Sequence, residues 1–151
     1  DIGSKFSWPA EALSNFSSHP FVFDGVGCAS MEGFLQSLKF TEVDIQMDVC
    51  QLIGLAAKRF GRQKDKDWKS VQKLWWQGQE FDRSSEEFQR LLDRAFEALA
   101  QNIDFQDALL ATGLCPLTHS FGKQKESETV LTEKEFCSRL TKIRQRLQQS
   151  L

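Results

Sequence analysis

Helical spacing dominates this sequence. From Met31 onward apolar residues recur three and four apart in segment after segment, while only Phe21-Val22-Phe23, followed by Asp24-Gly25, reads as a short strand entering a tight turn. No strand-helix-strand alternation exists, so a doubly wound sheet is excluded. The expected fold is mainly α: a compact multihelical single domain over residues 1–151, with a small N-terminal β-hairpin at most. A chain of 151 residues is the usual size of one domain and can bury a core without staples.

Local signals divide the chain further. Ser30 is a good N-cap for a helix over Met31–Phe40, although Gly33 in its first turn weakens that helix by about 1 kcal/mol. Ile45, Val49, Leu52, Ile53 and Ala56 predict a helix over 44–59, with Gly61 placed to end it. Residues 61–70 read as a polar loop up to Trp68, after which VQKLWW resumes an apolar helical period. Asp82 and Ser84 offer caps, Ser84 and Glu87 with capping-box spacing, for a helix through Phe88, Leu91, Leu92, Ala95, Phe96 and Leu99. A further helix is expected over 104–111, then a loop over 117–129. Thr132 and Glu135 form a second capping box for a terminal helix buried along Phe136, Leu140, Ile143 and Leu147.

A net charge of -2 argues against binding duplex nucleic acid by bulk electrostatics but leaves room for one basic pocket. The four cysteines show no CxxC pairing and read as free thiols in a reducing compartment, and zinc is not expected. There is no apolar run long enough for a membrane span, the first residues are too polar for a secretory leader, and a cytoplasmic protein is expected. Because the chain opens on Asp1 rather than Met, its start reads as trimmed or processed.

Chemistry concentrates in three places. On the Met31–Phe40 helix, Glu32, Gln36 and Lys39 fall within about 60° of one another at 100° per residue. An acid, an amide and an amine in line can protonate, orient and attack a glycosidic carbon, yet helical geometry alone reads the stripe as a face turned to water. Arg62, Lys64, Lys66 and Trp68 form a cationic loop ending in an indole, able to grip a phosphate and stack a base or simply to be a solvated loop with one anchor. His119-Ser120-Phe121-Gly122-Lys123 offers imidazole, hydroxyl and amine, though a lone His is more often structural. Asn15 either reads a ligand or caps a turn. Phosphate-loop, HExxH and GxSxG patterns are absent.

In order along the chain, Leu13-Ser14-Asn15-Phe16, Pro20-Phe21 with Asp24-Gly25, and Ser30, Glu32, Gln36, Lys39 and Phe40 resemble the NADAR or YbiA-like family. Its pattern runs LSNF, a PF-x-x-DG turn, then S-x-E-x-x-x-Q-x-x-K-F. Ala57 with Gly61-Arg62, Asp67-Trp68 and the LLATG segment of residues 109–113 are similar to its later motifs. The resemblance implies a mainly helical YbiA-like fold and a metal-independent N-glycosidase without cofactor. The implied substrate is a base joined to phosphorylated ribose, first an ADP-ribosylated guanine, otherwise a ribosylamino-pyrimidine of riboflavin synthesis. The partner is then a nucleotide-like small molecule or an ADP-ribosylated base in nucleic acid, with no membrane involved. Glu32 and Lys39 would be catalytic, and Asn15, Gln36, Arg62, Trp68, His119, Gly122 and Lys123 would bind substrate. Three departures stand out: Glu32-Gly33 replaces the family's E-H pair, the W-G-D-G segment is missing, and residues 75–88 lengthen the middle. They keep open a non-catalytic ADP-ribose or nucleotide sensor. An interaction protein using Arg139, Lys142, Arg144 and Arg146 ranks third.

Overall fold

Two residues with positive φ make the first hairpin. Asp24 (φ 49°) and Gly25 (φ 78°) turn strand β1 (Phe21–Phe23) into β2 (Val26–Cys28), pairing Phe21 with Cys28. Its inward residues settle on helix α1 (Met31–Ser37), every residue of which is buried. Ser30, fully extended, caps α1 by accepting from Gly33 N at 3.1 Å and donates to the Leu52 carbonyl at 3.0 Å. The computed structural model describes residues 1–151.

Helices α2 (Val43–Cys50) and α3 (Gly54–Arg62) pack on α1. The single helix expected over 44–59 is broken at Gln51–Ile53, because Gly54 takes φ 50° and redirects the chain. Gly61 does not end α3 but lies inside it. The expected polar loop is largely helix α4 (Asp65–Val71), stopped by Gln72 in the left-handed region.

The VQKLWW period is not helical. Lys73–Trp76 is strand β3, paired with β4 (Gln79–Asp82) across a turn in which Gln77 (φ 48°) and Gly78 (φ 86°) repeat the geometry of the first hairpin. The expected limit of one hairpin is therefore exceeded, while the mainly helical class stands. Trp76 stacks on Phe23, with ring centroids 5.6 Å apart, and Phe34 of α1 meets both edge-on.

Helices α5 (Glu86–Leu99), α6 (Ile103–Ala111) and α7 (Glu133–Gln149) complete the core. Ser85 rather than Ser84 caps α5, accepting from Phe88 N, whereas the Thr132–Glu135 capping box of α7 forms as its spacing predicts. The 117–129 loop contains one 3-10 turn over Glu126–Glu128. All four cysteines are free. No helix is long and apolar enough to cross a membrane.

Candidate active site

The expected helix over Met31–Phe40 ends at Ser37, and the polar stripe formed by α1 and the turn that follows it faces inward. Glu32, Gln36 and Lys39 are 9%, 8% and 9% exposed, so the reading of a water-facing stripe is overturned. They line a cavity of about 440 Å³ whose other walls are residues 3–5 and 14–16, α3, α4 and the loop before α7. Those walls come from distant sequence, which is why a helix considered alone cannot reveal the burial.

Gln36 Nε2 donates to Glu32 Oε1 at 3.2 Å, and Gln36 Oε1 is buried without a partner. A Cβ on Gly61 would stand 1.8 Å from that oxygen, so the glycine of the Gly61-Arg62 pair is what lets α3 close over Gln36. Burial pushes the Glu32 carboxyl above its ordinary range, against the Gln36 hydrogen bond and the charges of Lys39, Lys58 and His119. Lys39 is pulled below its ordinary range, again chiefly by burial, although Asp65 Oδ1 lies 2.5 Å from its Nζ. A buried acid inclined to keep its proton thus shares a cavity with a buried amine inclined to lose one.

Asn15, Glu32, Gln36, Lys39, Arg62, Trp68, His119, Gly122 and Lys123 all line this one cavity, whereas Lys64, Lys66 and Ser120 of the same candidate segments do not. The backbone carbonyl of Asn15 accepts from Glu32 N at 3.0 Å, tying the LSNF turn to the start of α1. Trp68 differs from expectation. At 1% exposed it offers no stacking face, and its indole N–H is buried without a partner. The exposed ring at the cavity is Phe121, at 69%.

His119 is firmly held. Its Nδ1 donates to the Ile2 carbonyl at 2.7 Å, its backbone N–H reaches Glu133 Oε2 at 3.0 Å, and its ring lies edge-on to Phe136. Gly122 packs against the ring, where a Cβ would stand 2.7 Å from Cδ2.

Sequence reasoning missed Lys58 and Asp65. Lys58 stands four residues before Arg62, a spacing that marks a shared face only if the helix is drawn through Gly61. Asp65, Trp68 and Lys69 fall on one face only if α4 is a helix rather than a loop. The cavity is basic in an acidic chain: Lys5, Lys39, Lys58, Arg62, Lys69 and Lys123 line it against Glu32, Asp65 and Glu128. Lys39 pairs with Asp65 and Lys69 reaches Glu128 at 4.0 Å, leaving the other four cations without an ion pair. Such a wall suits phosphate groups. No cluster of His, Cys, Asp and Glu has the geometry to hold a metal ion.

The bacteriophage protein GP30.3 family matches residues 7–145. The chain belongs to this family. A relative of this protein, an uncharacterised 17.1 kDa protein of enterobacteria phage T4 from the Gp30-rIII intergenic region, is 40% identical over 149 residues, 97% of each chain. Among solved structures, the NMR structure of Escherichia coli YbiA is similar with a TM-score of 0.61 at 16% identity, covering 99% of this chain and 84% of YbiA. The YbiA-like fold is therefore shown, and the sequence family matched is the phage one.

The fold explains one departure from the E-H pattern. At Gly33 a Cβ would stand 2.5 Å from the Leu52 carbonyl oxygen and 3.0 Å from that of Val49, so this chain has no room for any side chain there. In place of the W-G-D-G segment, the loop before α7 brings His119, Gly122 and Lys123 to the cavity.

Proposed function

We propose that this protein is a metal-independent N-glycosidase that hydrolyses the bond between a base and a phosphorylated ribose. The observation that carries this is the enclosure of Glu32 and Lys39, shifted by burial in opposite directions, in one cavity with a surplus of unpaired cations. Glu32 holds a proton for the departing base nitrogen. As the C1′–N bond breaks, its electron pair leaves with the base, which takes the Glu32 proton, while the Lys39 amine in its neutral form bonds to C1′. Gln36 orients Glu32 and the sugar. Lys5, Lys58, Arg62 and Lys123 receive phosphate oxygens, and Asn15, Trp68 and Gly122 complete the lining.

The first substrate is ADP-ribosylated guanine, free or in nucleic acid, because four unpaired cations from three segments match a diphosphate better than one phosphate. A ribosylamino-pyrimidine phosphate is second. The reaction would take place in the cytoplasm, where thiols such as these stay reduced. Base release from both substrates, followed by mass spectrometry, tests the proposal: Glu32→Gln and Lys39→Ala are expected to abolish it, and borohydride should trap ribose on Lys39 through the ring-opened imine that forms as the C1′–O4′ bond breaks and O4′ takes a proton from Nζ. Turnover unchanged in both variants would sink the assignment.

One observation favours a second reading. Asp65, at 2.5 Å, stabilises the charged form of Lys39 and opposes its use as a nucleophile. A sensor would bind ADP-ribose in calorimetry and release no base from either substrate.

A further inference from the structure

Residues 1–2 and 118–120 are clasped at several points. Ile2 N donates to the Thr118 carbonyl at 2.8 Å, Asp1 Oδ1 accepts from Ser120 N at 2.8 Å, and Asp1 Oδ2 accepts from Ser120 Oγ at 2.5 Å. At the centre of the clasp the His119 ring donates from Nδ1 to the Ile2 carbonyl at 2.7 Å. A carbonyl oxygen can only accept, so the proton of the neutral ring sits on Nδ1 and the lone pair on Nε2. The ring is fixed from two further sides by Phe136 and Gly122. His19 is likewise held by a backbone carbonyl, that of Ala12 at 2.7 Å, but does not line this cavity. His119 does, beside a buried acid, with its tautomer set as that of a base is set in acyl-transfer sites.

After Glu32 has given its proton to the base, its carboxylate is one group able to accept a proton from water, and His119, with an oriented lone pair on another wall of the cavity, is the second. We propose that His119 is the general base of the hydrolytic step, acting on the water that frees ribose from Lys39; this rests on the glycosidase reading. Nε2 takes one proton from water as the water oxygen bonds to C1′. The C1′–Nζ bond breaks with its electron pair returning to Lys39. The imidazolium then passes its proton to the Glu32 carboxylate, restoring the acid, the amine and the neutral imidazole, with ribose and free base as products. The division of labour, an acid on α1 and a base on the loop before α7, leaves room for the water between two walls of the cavity.

His119→Asn tests this in the full chain. Its amide can keep the donor to the Ile2 carbonyl while deleting the Nε2 base, so the clasp survives and the chemistry does not. The expected result is a fall in kcat for base release of about 100-fold or more with KM changed by about threefold or less. Sodium azide, a nucleophile with no proton to lose, should restore turnover of His119→Asn by about 10-fold and yield the glycosyl azide, while leaving Glu32→Gln inactive. A merely structural histidine would not be rescued in this way. The inference alone is overturned if the wild type turns over and His119→Asn matches it, or falls without responding to azide. If the folded wild type releases no base from either substrate, the glycosidase reading falls and the role of His119 with it.

Discussion

Glu32 and Glu135 are each 9% exposed, yet Glu32 lies deeper among protein atoms and their carboxyls move in opposite directions. Burial acts on both. Around Glu135 it is outweighed by Arg83, which is 1% exposed and binds it with two donors at 3.1 and 2.7 Å, by Thr132 N–H at 2.8 Å and by Gln89 at 2.5 Å, so the carboxyl stays below its ordinary range. Glu32 has one hydrogen bond, from Gln36 at 3.2 Å, and is left proton-hungry. A satisfied buried carboxylate builds structure, whereas an under-satisfied one beside a cavity is available for chemistry. Arg83 also donates from Nε to the Thr129 carbonyl at 2.8 Å, so the satisfied pair braces the cavity wall that the unsatisfied one faces.

The contrast is sharpest in stability. Glu135→Gln or Arg83→Met, each stranding one buried charge, should cost about 3–5 kcal/mol in urea unfolding. A cost similar to that of Glu32→Gln would erase the distinction between the two carboxyls. Next come the glycines that allow the close approach of helices to α1. Gly33→Ala and Gly61→Ala should each lose about 1–3 kcal/mol, and Gly61→Ala should also reduce base release because its Cβ displaces Gln36 from Glu32. Retention of full activity in a folded Gly61→Ala protein would remove Gln36 from the proposed site.

The smallest stability effect is expected from Glu32→Gln, about 1 kcal/mol or less and stabilising, even as it abolishes base release. Its pH dependence follows from linkage. The folded carboxyl lies above the ordinary value of 4.5, so its contribution is present below 4.5 and is lost as pH rises through the folded value. Glu135 behaves oppositely: its contribution is present above 4.5 and is lost as pH falls through its depressed folded value. Unfolding curves of Glu32→Gln and wild type should therefore separate as pH rises above 4.5, and those of Glu135→Gln and wild type should converge as pH falls below it. Parallel profiles for both variants would contradict the opposite shifts.

Much of this was legible in the sequence. The Asp24-Gly25 turn, the Ser30 cap, the Thr132–Glu135 box and the terminal helix are local features with local causes, and the structure repeats them. The second hairpin was hidden because KLWW is too short to separate strand from helix by period, and Gln77 is not a residue that advertises positive φ. Gly61 reads as a helix end in one dimension and is a helix contact in three. For the candidate site, the sequence grouped residues that line one cavity, from Asn15 to Lys123. Their burial was not, because it depends on α3, α4 and the loop before α7. Trp68, expected to present a flat face, instead packs in the core for the same reason.

Trp68 carries an optical consequence. Its indole N–H lies unpaired beside the cavity, whereas that of Trp76 is already donated to Asp24 at 2.9 Å. Indole emission depends on the surroundings of the ring, so a ligand that fills the cavity Trp68 lines would change the fluorescence of this tryptophan while Trp76 stays constant. The protein contains its own label for occupancy of the cavity, and a titration lost in Trp68→Phe would assign the signal without attaching any dye.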